Sequence, residues 1–161
     1  MKPLRYIIVL ATLACTSASG AESGGSKDPA PLFRSNDVLE VTISAPIKQI
    51  MRDRPDSEDT QGTLTYEDPE AGETTLDIGI RTRGRFRRQK DICPFAPLRL
   101  NFRKTKGTLF AKSNKLKLVT HCRSGSNIYT QIILKEYLAY RILNNLTEAS
   151  FKVRLLRVTY V

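Results

Sequence analysis

Six short runs of this chain alternate apolar with polar residues, and one long run does not; that contrast sets the fold class. The alternating runs are residues 37–43, 62–66, 74–86, 98–102, 115–120 and 151–161. A period of two puts successive side chains on opposite faces, the signature of a strand with one buried face. In the first run Val38, Val41 and Ile43 are β-branched, with Leu39 read on the alternate face. In the last, Phe151, Val153 and Leu155 share one phase, and Leu156 reads as a phase switch before Val158. The exception is Asn127–Leu146. There Ile128, Ile132, Ile133, Leu134, Tyr137, Leu138, Ile142, Leu143 and Leu146 cover most of a helical circumference, which predicts a helix buried on more than one side. The expected fold is therefore α+β: a mostly antiparallel sheet of about five to seven strands, with one long buried helix near the C-terminus.

The 161 residues suit one domain. Residues 1–21 read as a secretory signal peptide: Lys2 and Arg5 form a positive start, Tyr6 to Cys15 an apolar run, and Ser19-Gly20-Ala21 a cleavage site before Glu22. The apolar run falls short of the roughly 20 residues a membrane anchor needs. A variant would retain Cys15 as a lipid-bearing N-terminus. Residues 22–35, rich in Gly, Ser and Pro, are expected to be a flexible lead-in, and residues 36–161 a single domain, complete or truncated. Ile47, Ile50 and Met51 can form one amphipathic turn, residues 52–61 an exposed loop, and residues 69–72 a turn. The expected destination is the cell envelope or the extracellular space.

Charge is distributed unevenly. Residues 22–77 hold 5 basic and 13 acidic side chains, and residues 78–161 hold 19 basic and 3 acidic. Such polarity either neutralises itself inside one fold or leaves a basic face that attracts anionic partners.

Two cysteines follow the leader, Cys93 and Cys122. An even count in an exported chain favours a disulfide. With His121 they fall short of a closed four-ligand metal site, so no metal is expected. His121 is the one histidine and sits beside Cys122, where strand neighbours point to opposite faces. No phosphate-cradling glycine loop is present, and Asp91, Glu136 and Glu148 are the acids after Asp77. No cofactor and no catalytic group is expected on these grounds.

The most distinctive stretch is Arg81-Thr82-Arg83-Gly84-Arg85-Phe86-Arg87-Arg88. Alternation would put Arg81, Arg83, Arg85 and Arg87 on one side as a planar array of guanidinium groups, continued by Arg88. Each planar fork donates two parallel hydrogen bonds, a good match for phosphate, sulfate or carboxylate. Three readings stay open: pairing with acids of the first half, binding of an anionic partner, or a solvated strand edge. Nucleic acid is not an expected partner, because exposed aromatics for base stacking are not interleaved.

Residues 78–161 also carry an ordered set of short motifs: IRTRGRFRR, PLRLNF, KLKLVT, KEYLAYRILNNL and SFKVRLLRVTY. This order resembles the N-terminal part of the secreted spore-coat-protein-H-like (CotH) kinase family, over roughly residues 37–161. Arg81, Arg83 and Gly84 match its first strand motif; Arg99, Leu100 and Phe102 its second. Lys115, Leu116 and Leu118 match its third, and Leu138, Ala139 and Tyr140 its helix. The family carries lysine just before its second motif, where this chain has Phe95, Ala96 and Pro97. Its catalytic and metal-binding aspartates belong to a following lobe. The resemblance therefore implies an N-lobe-like fold without independent kinase activity, and a possible ion pair between Glu136 and Arg81 or Arg83.

The sequence leads to an exported, disulfide-bonded basic domain acting as a non-catalytic binding or interaction module. Its expected partners are an anionic envelope polymer, a nucleotide phosphate or a partner protein. The alternative is an incomplete CotH-like kinase N-lobe.

Overall fold

The structure, a computed structural model, describes residues 29–161 apart from Ser126, together with the backbone of residues 6–11. In chain order its strands are β1 (Tyr6–Ala11), β2 (Leu39–Ser44), β3 (Thr60–Asp68), β4 (Gly72–Thr82), β5 (Leu98–Phe102), β6 (Lys115–Val119) and β7 (Val153–Tyr160). Helix α1 is Ile47–Asp53 and helix α2 is Asn127–Leu146, and a 3-10 turn spans Pro31–Phe33. The class is α+β, as the alternation predicts.

From β2 onward the strands form one curled sheet in the order β6-β5-β4-β3-β2-β7. Every pairing is antiparallel except β2 with β7, where Leu39 stands opposite Leu156. Strand β1 pairs antiparallel with both β6 and β7 and closes the sheet into a barrel. This strand is the apolar centre of the expected leader. The expected cleavage site at Ala21, Cys15 and residues 22–28 of the lead-in lie outside the described residues.

The inner face follows the period of two. Leu76, Ile78 and Ile80 of β4 meet Leu98, Leu100 and Phe102 of β5 and Leu116 and Leu118 of β6 inside the barrel. In β2 it is Leu39 that turns inward with Val41 and Ile43, while Val38 is left exposed, because residues two apart share a face. Phe110 fills the interior against Tyr66 and Phe102, with ring centroids 5.1 and 5.0 Å away. Packing begins before residue 36: Leu32 is fully buried and Phe33 nearly so, which corrects the expectation of a lead-in extending to residue 35.

Strand β7 keeps one phase throughout, without the expected switch. Leu156 and Val158 face the barrel interior, and Val153 and Leu155 face outward beneath α2. Both faces are apolar because both are covered. Arg154, on the inner side, is buried and donates to the carbonyls of Leu32 (3.0 Å) and Asp37 (3.1 Å).

Helix α2 corrects another expectation. It rests on the outside of the sheet through Ile133, with Leu134, Tyr137 and Tyr140 half-buried beside it. Ile128, Ile132, Leu138, Ile142, Leu143 and Leu146 are exposed. The apolar circumference is thus buried on one side, against Val119, Val153 and Leu155. Among the described residues no helix is long and apolar enough to cross a membrane.

Candidate functional site

The arginine-rich stretch does not form one flat array. Strand β4 ends at Thr82, and Gly84 takes φ +86°, a left-handed conformation that turns the chain out of the sheet. The residues from Arg83 to Pro97 then form a connector held down at several points. Cys93 and Cys122 pair as a disulfide with Cα atoms 4.8 Å apart. The amide of Phe95 donates to the carbonyl of Cys122.

Arg54 is the other fastening, and sequence reading did not single it out. It caps α1 with φ 55°, and its guanidinium donates to the carbonyls of Arg88 (3.1 Å), Cys93 (3.0 Å) and Pro94 (2.7 Å). The only local sign of it is its place between the apolar turn of α1 and Pro55.

These geometries divide the five arginines. Arg81 pairs with Asp59 at 3.5 Å and donates to the carbonyl of Ser57 at 2.6 Å. Arg88 pairs with Asp56. Both acids come from the acidic first half, so at these two positions the pairing reading describes the structure. Arg87 donates to the carbonyl of Thr120 at 2.9 Å. Arg85 is exposed on the turn beside Phe86, also exposed.

Arg83 has a different setting. It lines a hollow of about 200 Å³ with Arg99, Lys115, Leu116 and Lys117. The strand registers assemble this cluster. Lys117 of β6 stands directly opposite Arg99 of β5, and Arg99 directly opposite Arg81 of β4. Lys115 stands opposite Asn101 in the next row. Asp59 neutralises the Arg81 end of the row, and Asn101 also donates to it, at 2.5 Å. Gly79 makes this possible: a Cβ there would lie 2.8 Å from the Cβ and carboxylate oxygen of Asp59.

Among the described residues no carboxylate stands within 4.0 Å of the charged nitrogens of Arg83, Arg99, Lys115 or Lys117. Burial, then the charges of Arg87 and Arg99, lower the proton affinity of Arg83, while Glu136 and Tyr140 raise it. Glu136 therefore acts on Arg83 through its field, and the ion pair that the resemblance implies is not closed. Burial, then Arg83 and Arg99, likewise push the Lys117 ammonium below its ordinary value of 10.5. Its Nζ lies 5.1 Å from the ring centre of Phe151.

Like charges directly opposite in a sheet destabilise by about 0.2–1 kcal/mol per pair. Half-burying them adds a desolvation cost. A cluster kept in this state is complementary to an anion, which would relieve both. The site thus takes Arg83 from the arginine stretch and adds Arg99, Lys115 and Lys117. Their outward phase is visible in LRLNF and KLKLV, but their meeting depends on strand register.

His121 is buried, and its Nε2 lies 3.2 Å from the hydroxyl of Ser124. No group of three or more His, Cys, Asp or Glu that could hold a metal ion is found among the described residues. No family model, curated protein or solved structure matches this chain.

Proposed function

We propose that this chain is an exported, disulfide-bonded binding module whose basic cluster of Arg83, Arg99, Lys115 and Lys117 holds an anionic group of a cell-envelope or extracellular partner. The observation that carries the proposal is the facing of Lys117 and Arg99 beside half-buried Arg83, with no carboxylate closing on them. A planar guanidinium fork presented beside ammonium groups suits phosphate or sulfate oxygens. The Cys93–Cys122 disulfide supports an oxidising destination. On this reading the leader is removed together with Tyr6–Ala11, and the pairing of the six strands from β2 to β7 does not depend on it.

Retention on immobilised heparin, eluted with salt, tests the cluster. The protein should elute late, and Arg83→Gln with Arg99→Gln should elute at markedly lower salt with a melting temperature equal to or above that of the wild type, because facing like charges are removed. Arg85→Gln, on the exposed turn, should matter less. Equal retention of wild type and the double variant would reject the cluster as the site.

A second reading keeps the kinase-lobe resemblance, with the cluster taking the phosphates of a nucleotide. The influence of Glu136 on Arg83 favours it. Addition of ATP should then raise the melting temperature in an Arg83-dependent way, and no shift at millimolar ATP would remove it.

A further inference from the structure

We infer that the exposed side of α2 and the neighbouring basic cluster form one surface for an anionic lipid bilayer. The inference rests on the cluster being an anion site and adds what lies beside it. Ile128 and Leu146 stand on one line of the helix about five turns apart, and Ile132 and Ile142 fall about 40° to either side of that line. Leu146 is 75% exposed, Ile128 65% and Ile142 60%. Leu143 and Leu138 widen the stripe on either side, and Lys135 is the charge within it.

The stripe borders the cluster. Glu136, whose charge acts on Arg83, is one helical turn from Ile132, and Tyr140 is one helical turn from Leu143. Tyr140 meets Phe151 at 6.1 Å between ring centroids, and Phe151 carries Lys117 over its face. A continuous surface therefore runs from exposed isoleucine and leucine, across an aromatic step, to Arg83, Arg99 and Lys117. This order of apolar stripe, aromatic ring and cations matches that of acyl chain, interface and anionic headgroup in a bilayer leaflet.

Charge selects this occupant. A second copy would bring an identical cluster and, without the leader, another formal charge of +8 toward the first. An anionic leaflet neutralises the cluster while covering the apolar stripe.

The full chain should be tested by flotation with vesicles of phosphatidylcholine alone and of phosphatidylcholine with phosphatidylglycerol. Binding should be at least tenfold stronger to the anionic vesicles. Ile132→Gln with Ile142→Gln should lower it at least tenfold, with an unchanged circular dichroism spectrum and unchanged heparin retention. Arg83→Gln with Arg99→Gln should lower both. Heparin retention without vesicle binding would overturn the lipid surface and leave the anion site standing. Loss of both in the wild type would overturn both. A dimer by light scattering that Ile132→Gln with Ile142→Gln dissociates would overturn the inference and assign the stripe to a second copy.

Discussion

Asp59 lies over Gly79, and the space left by the missing side chain lets its carboxylate reach both Arg81 and Asn101. Gly79→Ala would place a methyl group 2.8 Å from the Cβ of Asp59, which is fixed to the backbone and cannot simply swing aside. The loop before β3 must move, and Arg81 loses its counter-charge. Expected destabilisation is about 1–2 kcal/mol, read as a lower denaturation midpoint. Arg81→Gln should destabilise as well, whereas Arg83→Gln should not. That contrast between Arg81 in β4 and Arg83 just beyond its end separates a structural role from a binding role. Equal effects would contradict it.

Lys117 should be unusually reactive toward amine-labelling reagents. Burial and two neighbouring guanidinium groups lower its proton affinity, so more of it is neutral at a given pH above neutrality. The sign for stability follows. Between the lowered folded value and the ordinary value the unfolded chain binds more protons, so this group's contribution favours folding as pH rises through that window. A bound polyanion restores the proton. Labelling at pH 9 followed by peptide mapping should show Lys117 ahead of exposed Lys104 and Lys106, and heparin should slow Lys117 selectively. Uniform labelling would argue against a coupled cluster.

Arg154 should be among the least replaceable residues. It is buried, and its two donors satisfy the carbonyls of Leu32 and Asp37. Arg154→Ala would leave both unpaired and open a cavity, at a cost of about 2–4 kcal/mol. Arg154→Lys should recover only part, since a single ammonium cannot reproduce the fork. Urea titration of the three proteins measures this, and a change below measurement error in Arg154→Ala would refute it.

The Cys93–Cys122 link closes a loop with a sequence separation of 29 residues. In the chain-entropy account a loop of this size stabilises by about 3–4 kcal/mol. Reductant should lower the unfolding midpoint accordingly, and the unreduced protein should show no reaction of Cys93 or Cys122 with a thiol reagent.

Local pattern made the elements legible. The period of two located β2 to β7 and not β1, whose residues read as a leader, and the dense apolar run located α2 with the limits Asn127–Leu146. What sequence did not carry is which faces meet. The apolar circumference of α2 reads the same whether a partner or solvent stands beyond it, so burial on several sides was expected where one side is packed. Beyond β4 the alternation of arginine continues past the point where Gly84 turns the chain, so the pattern predicts a longer planar array than the fold contains. Arg99 and Lys117 lie 18 positions apart and come together only through the β5–β6 register. Asp59 and Arg81 likewise meet through a non-local loop. Charge counts announced that pairing in general and could not say which arginine would be left over.

The parallel join of β2 to β7 sets when this molecule can finish folding. Leu39 waits for Leu156, and the carbonyl of Leu32 waits for a donor 122 residues further on. The edge of β2 stays without this neighbour until β7 has been made. Distant pairings of this kind slow folding and prolong the exposure of unpaired edges. The nascent chain therefore carries an unpaired, protease-sensitive edge on β2 from the making of Leu39 until that of Leu156.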